Sequence, residues 1–349
     1  MVSLESEFLL SAGRLLGAWQ HLQPETREQV KIELLSNEAV LTSAIEGEVL
    51  DRASVQSSVK RQFGMKTQKG GSPAETGMAE LMVACFENFA DPLTDQTLFD
   101  WHKLICRGQR FMKVGAYRTH SEPMEIVSGA IGKQKVHFEA PPSGQVPKEM
   151  SVFLSWFART HPDGEVPLPP LTRAGLMHLY FITIHPFEDG NGRMVRALAE
   201  KVLAQALNQP SLLALSTQIE HDKKDYYGAL EASNRTLDCT NWLVWFGQTV
   251  IAAQAQSLAA IDLLISKVKL FDRLRGQINL RQEKLLARLF EEEPIGFKGG
   301  LSAKNYMSIT GASPATARRD LGDLVEKHVL RRTGEKKSTR YWLIAKPFS

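Results

Sequence analysis

Cysteine is scarce in this chain. Only Cys85, Cys106 and Cys239 occur in 349 residues, and they lie far apart. No Cys-x-x-Cys pair exists, so neither a zinc site nor a dithiol redox pair is expected, and an odd, scattered set reads as reduced thiols. Long apolar runs are missing too: no uninterrupted stretch reaches the ~18 residues that mark a membrane-spanning helix. The opening Met-Val-Ser-Leu-Glu-Ser-Glu lacks the basic start of a signal peptide. A cytoplasmic protein without membrane association is therefore expected. No internal repeat is visible, and no excess of one charge, since 42 Lys/Arg against 39 Asp/Glu leave +3. A hydrophobic content of 43% with 23% charged residues is that of an ordinary globular protein. The length suits two or three domains.

Against this plain background one stretch stands out, residues 185 to 196, His-Pro-Phe-Glu-Asp-Gly-Asn-Gly-Arg-Met-Val-Arg. Upstream, Met177, Tyr180, Phe181 and Ile184 have helical spacing over Leu171 to Ile184. That helix should stop at His185, because the residue before proline is pushed out of the helical region. Met194 to Asn208 reads as the next helix, so Gly190, Asn191 and Gly192 are expected to form a loop at its N-terminus. Outward N–H groups and the helix dipole make such a place a phosphate cradle. His185, with an ordinary pKa near ~6.5, suits a general base. Asp189 is a hard oxygen ligand of the kind that holds magnesium together with phosphate oxygens. Arg193 and Arg196, three apart, share a helix face and can fork onto phosphates. Phe187 reads as a core anchor for the turn. Taken singly, a His before Pro or a Gly-Asn-Gly is more often structural.

Toward the N-terminus, Leu4 to Leu22 and a second helix from Pro24 carry apolar stripes, the second running into Thr-Ser-Ala-Ile-Glu-Gly-Glu at 42 to 48. Thr42 and Glu46, four apart, share a face, and Gly47 should end the helix. A carboxylate is disfavoured at a helix C-terminus, so either a cationic partner or plain solvation is expected for Glu46. Glu48, two residues on, is expected to point to another side. Further helices are expected over Asp51 to Phe63, Ala74 to Ala90, Thr94 to Cys106 and Pro147 to Thr160. Between Arg118 and Pro142 the texture is that of a β-hairpin, with Lys135, Val136, His137 and Phe138 on its second strand. Tyr226 and Asn234, eight apart, lie near one helix face, and Tyr226 also reads as a core tyrosine. A long helix or helix pair is expected over Cys239 to Phe271.

The last 70 residues read as helices at Arg281 to Phe290, Ser302 to Ile309 and Ser313 to Lys327, then a hairpin over Val329 to Leu343. That is the order of a winged helix-turn-helix. From Ser313 onward nine Lys/Arg face four Asp/Glu, although the whole chain is only +3. Positive charge is thus concentrated where a DNA-binding face would lie, with Arg318 and Arg319 as candidate contacts. Protein docking is the competing use of such a module.

The 185 to 196 stretch resembles the signature of the Fic family, His-Pro-Phe-x-Asp-Gly-Asn-Gly-Arg-x-x-Arg, at every specified position. The resemblance implies a mostly α-helical core with a β-hairpin flap, here followed by a winged helix. The expected division is 1–70 for an N-terminal helical region, 71–275 for the catalytic core and 280–349 for the winged helix. It implies a protein adenylyltransferase that moves AMP from ATP, with magnesium, to a hydroxyl of a target protein. Self-modification is expected, and removal of AMP and a homodimer stay open. His185 is the implied base. Glu188, Asp189, Gly190, Asn191, Gly192, Arg193, Arg196, Tyr226 and Asn234 would bind the nucleotide, and Asp189 the metal. Thr42, Glu46 and Gly47 match the family's inhibitory helix, whose glutamate would pair with Arg196. Residues 135 to 138 would dock the target on the flap. The alternatives are a DNA-binding regulator that uses the core as a nucleotide sensor, and transfer of another phosphate-linked group.

Overall fold

The computed structural model describes residues 1–67, 70–109, 112–120, 124–128, 135–211, 213–233, 238–292 and 299–344, with the backbone alone at 125–128, 135–138, 264, 291–292 and 337. Helix makes up 69% and strand 3%, so the fold is mostly α. The chain divides into two compact units, Met1–Leu258 and Ala259–Ser349.

The first unit contains α1 (Val2–Gln20), α2 (Pro24–Ile45), α3 (Arg52–Gln62), α4 (Pro73–Glu87), α5 (Asp95–Ile105), the strands β1 (Glu125–Ser128) and β2 (Lys135–Glu139), α6 (Val146–Arg159), α7 (Pro170–Ile184), α8 (Asn191–Leu207), α9 (Leu215–His221) and α10 (Lys223–Ser233). Helix α11 (Thr240–Leu274) begins in this unit and ends in the next. Helix starts follow local chemistry. Pro24 and Pro170 sit in the first turns of α2 and α7, where a missing N–H costs nothing. Ser72 and Glu75 form a capping box on α4, and Glu75 also accepts the Asp51 N–H at 2.9 Å, tying the α3 start to the α4 start.

Helix α8 is the axis of this unit and packs against α2, α4, α5, α7 and α9. Its Met194, Val195, Leu198, Ala199, Val202 and Leu203 have no exposed surface. Each of the Met, Val and Leu side chains among them contributes about 1.5–3 kcal/mol on burial. Even its polar side chains are enclosed. Lys201 donates to the carbonyls of Asn88 and Phe89 at 2.9 Å each, placing a cation on the C-terminal end of α4. Arg173 of α7 lies over the Phe157 ring at 4.5 Å and donates to Gln205 Oε1 at 2.9 Å.

The strands β1 and β2 pair antiparallel, with Ile126 opposite Phe138 and Val127 opposite Val136, so that His137 is the extra residue of a bulge. Helix α11 is long and apolar enough to cross a membrane by length and composition, with a mean hydropathy of 1.4 over 18 residues. Gln254 and Ser257 interrupt its apolar run. Both are buried, as are its Trp242, Phe246, Val250 and Ala253.

The second unit contains α12 (Leu280–Glu292), α13 (Ala303–Thr310), α14 (Pro314–Glu326), β3 (Leu330–Thr333) and β4 (Arg340–Leu343). Ser313 caps α14 by accepting the Thr316 N–H at 3.3 Å. Leu285, Leu286, Tyr306, Ala317, Leu321, Leu324 and Leu330 form its core. Asp320 joins its three helices by accepting from Tyr306 Oη at 2.8 Å and Arg281 Nε at 2.9 Å. The strands β3 and β4 pair antiparallel, and a bridge between Leu301 and Tyr341 adds a third segment.

Candidate active site

Helix α7 ends at His185 in the left-handed region, φ 48°, ψ 60°. A non-glycine residue there is strained and must be held by its surroundings. Arg118 does so: it is 1% exposed, and its Nε donates to the His185 carbonyl at 2.7 Å while Nη2 donates to the carbonyls of Ile184, at 3.3 Å, and Pro141. The Arg118 N–H also donates to the Pro186 carbonyl at 2.9 Å. The His185 ring places Nδ1 3.3 Å from the Ile182 carbonyl. With the proton on that nitrogen, Nε2 keeps its lone pair. Burial, with Arg118 nearby, pushes the ring's pKa down to about 4, so it is neutral at pH 7.

Gly190, Asn191 and Gly192 do not form the expected loop: helix starts at Asn191, three residues before Met194. Gly190 is the N-cap with φ 80°, and Asn191 and Gly192 are already helical. A Cβ on Gly190 would lie 2.8 Å from Ile105, so only glycine fits. The Asn191 side chain faces inward and braces the turn. Its Oδ1 accepts the Phe187 N–H at 3.0 Å and its Nδ2 donates to the Phe187 carbonyl at 2.8 Å. The side chain is thus committed to the turn. Phe187 is fully buried and stacks on His102, with ring centres 4.2 Å apart. His102, in turn, accepts the Gly115 N–H on Nδ1 at 2.9 Å and donates from Nε2 to the Asp189 carbonyl at 3.1 Å. Burial keeps it neutral, which this donor and acceptor pattern requires. The Glu188 carboxylate accepts the Lys113 N–H at 3.4 Å.

Asp189 is exposed and accepts from Arg193 Nη2 at 2.9 Å and Gln109 Nε2 at 3.3 Å. Burial works to raise its pKa, but Arg193 and the Gly190 N–H outweigh it and hold the group below its ordinary range. It is therefore an ionised, accessible oxygen donor, which fits magnesium. Among the described residues no three His, Cys, Asp or Glu side chains converge on one point. An ion here would be completed by phosphate oxygens and water.

Arg196 is 2% exposed. Its Nε donates to Thr42 Oγ1 at 2.7 Å, and its Nη2 donates to the Thr42 carbonyl at 2.7 Å and Glu46 Oε1 at 2.8 Å. The α2 residues that the sequence put on one face thus meet on one arginine. On these two signature arginines, Arg196 Nη1 and Arg193 Nε are buried donors without a hydrogen-bond partner among the described residues. Unpaired buried N–H groups are costly, and an anion would satisfy them.

Glu48 departs from expectation. Instead of pointing away, its Oε2 accepts from Arg193 Nη1 at 2.7 Å. The cause is Gly47, whose φ of +85° turns the chain left-handed after α2. The Glu48 N–H then reaches back to the Ser43 carbonyl at 3.0 Å and the Gly47 N–H to Ala44 at 2.9 Å, closing a Schellman cap. Helical spacing no longer applies past that turn.

Tyr226 is 2% exposed and its hydroxyl hydrogen-bonds His178 Nε2 at 2.9 Å, a core position. Tyr227, which the sequence reading left unassigned, is 43% exposed, and its hydroxyl is within hydrogen-bonding reach of Glu46. Burial and that carboxylate push its pKa up to about 12. Asn234 lies outside the described residues. Lys135 to Phe138 are placed by backbone only, on β2. Arg318 and Arg319 are exposed on α14.

The helical core that carries this turn is a Fic/DOC family domain: residues 92–203 match the family model of that description. Residues 1–65 match a domain of unknown function, DUF4172. Among curated relatives, a stretch of 116 residues is 31% identical to the protein adenylyltransferase Fic of Nematostella vectensis, covering 33% of this chain and 25% of that protein. The protein adenylyltransferase fic-1 of Caenorhabditis elegans is 27% identical over 89 residues, 26% of this chain and 16% of that one. The chain thus spans a quarter or less of the length of these relatives. A solved Fic family protein from Desulfovibrio desulfuricans G20 has the same fold along the whole chain, with a TM-score of 0.54, 24% identity, and coverage of 99% of this chain and 97% of that one.

Proposed function

We propose that this chain is a protein adenylyltransferase restrained by its own N-terminal helix. The carrying observation is that the neutral base and the two enclosed arginines belong to one turn, while acids from α2 and its cap cover those arginines. A target hydroxyl gives its proton to His185 Nε2 as its oxygen bonds to the α-phosphorus of ATP. The bond from that phosphorus to the bridging oxygen breaks, and pyrophosphate leaves. The Gly192 and Asn191 N–H groups, with Arg193 and Arg196, receive the phosphates. Asp189 would hold magnesium, which offsets phosphate charge. Arg118 holds the strained His185 backbone in register. The β1–β2 hairpin is the surface on which a target segment would pair by strand addition. With Glu46 on Arg196, the terminal phosphate lacks its seat, and small misplacement is expensive in rate.

Intact mass spectrometry after incubation with ATP and magnesium tests this reading. An added AMP on the chain or a target supports it; an added phosphate would replace it with phosphoryl transfer. The same assay on modified protein, with magnesium but no ATP, reads whether the site also removes AMP.

A second reading concerns Ala259–Ser349. Arg318 and Arg319 on α14 and Arg331 and Arg332 on β3 are all exposed, a basic set on the helix and hairpin of a winged-helix order. It supports duplex DNA contact through phosphates.

A further inference from the structure

The restraint has two acids, and they are attached to different arginines. Glu46, the C-cap of α2, takes Arg196 at 2.8 Å, and Glu48, past the left-handed Gly47, takes Arg193 at 2.7 Å. Arg193 is buried, 4% exposed, and its other Nη holds Asp189 at 2.9 Å. We propose that Glu48 is a second latch that competes with nucleotide phosphate for Arg193 and sets how tightly ATP binds, whereas Glu46 sets whether the bound ATP reacts. This rests on the adenylyltransferase reading.

Charge and position both carry it. Arg193 and Arg196 are two cations, and Glu46, Glu48 and Asp189 are three anions around them, a net of −1 for these five groups. Such a cradle repels a polyphosphate. Removing Glu46 alone brings the five to neutral; only loss of both glutamates leaves a net positive seat. While Nη1 is on Glu48 and Nη2 on Asp189, Arg193 cannot turn its two-pronged end onto a phosphate, and among the described residues Nε is its one nitrogen without a hydrogen-bond partner. Glu48 is about one-third exposed, so it can swing into water once displaced, whereas Arg193 cannot leave. The Schellman cap makes the two acids one mechanical piece: the same turn that presents Glu46 fixes where Glu48 goes.

The experiment measures binding of a non-hydrolysable ATP analogue with magnesium by calorimetry, and self-modification with ATP, for wild type, Glu48→Gln, Glu46→Gly and the double variant. Glu48→Gln is expected to tighten the analogue by about three- to tenfold, at most about 1.4 kcal/mol, with transfer still restrained by Glu46. The double variant is expected to bind about three- to tenfold tighter than Glu46→Gly. Affinity unchanged by Glu48→Gln in both backgrounds overturns the latch while leaving the adenylyltransferase reading in place. Absence of analogue binding in all four proteins overturns both. Weaker binding on Glu48→Gln would also overturn it, since a residue that only supports Arg193's position predicts that sign.

Discussion

The Glu46 carboxylate occupies the space directly over Gly192: a Cβ on Gly192 would collide with Glu46 Oε1, 2.8 Å from the carboxyl carbon and 3.2 Å from Arg196 Nη1. An acid from α2 therefore fills the opening of the anion cradle while it pairs with the arginine behind it. A phosphate group that used the Gly192 N–H would need the same volume.

Glu46→Gly should accordingly raise self-modification by well over an order of magnitude, since relief of even ~1.4 kcal/mol gives a factor of ten. Arg196 keeps its two bonds to Thr42, so the variant should stay folded. Adding Arg196→Ala should silence it again. Self-modification of Glu46→Gly at the wild-type rate, with ATP saturating, would make α2 purely structural.

His185→Ala should abolish transfer and leave nucleotide affinity within a few-fold of its parent, because the phosphate donors belong to α8. Asp189→Ala should remove activity together with its magnesium dependence. Parallel loss of binding and transfer in His185→Ala would argue that the ring supports the turn instead of taking a proton.

Stability should be flattest between about pH 4.5 and about pH 6.5, where two histidines and two acids act in opposite directions, and should fall on both sides of that window. His178 and His185 have pKa values pushed down by burial to about 3 and about 4. Their contribution is complete above the unfolded value near ~6.5 and is lost as pH falls toward those folded values. Glu38, buried on α2 and accepting the Ser216 N–H, has its pKa raised by burial to about 7, with Glu200 of α8 also raised. Their contribution is complete below ~4.5 and is lost as pH rises, for Glu38 through about 7. Melting temperature against pH reads this directly. Glu38→Gln should remove part of the loss between about pH 4.5 and about pH 7 and leave the acid limb below it in place; an unchanged loss there would place the effect elsewhere.

Residues 259–349 should bind duplex DNA with an affinity that drops steeply with salt. Arg318→Ala and Arg319→Ala should each lower the slope of log affinity against log salt by up to about one unit. No measurable affinity at low salt would leave protein docking as the use of this unit.

The helical core was legible because its cues are local. Prolines and serines mark helix starts, and apolar spacing marks the buried faces of α7 and α8. The signature turn was legible because its residues are contiguous. What escaped was whatever depends on a turn's hand or a distant element. Glu48 was misjudged because helical geometry was carried past Gly47, whose positive φ ends it. Arg118 stands 67 residues before His185 and gave no sign that it would grip that residue's carbonyl. His102 sits among Leu98, Trp101 and Ile105 on the buried face of α5, a pattern that reads as core and conceals its bond to Asp189. Spacing left Tyr226 open between pocket and core, because its hydrogen bond to His178 depends on how α10 meets α7.

The most direct test is intact mass spectrometry of Glu46→Gly beside the Glu46→Gly, His185→Ala double variant, each incubated with ATP and magnesium. The account predicts an added AMP on the first protein and an unmodified mass for the second. An unmodified Glu46→Gly protein, tested with a candidate target as well as alone, or equal AMP addition to both proteins, would contradict it.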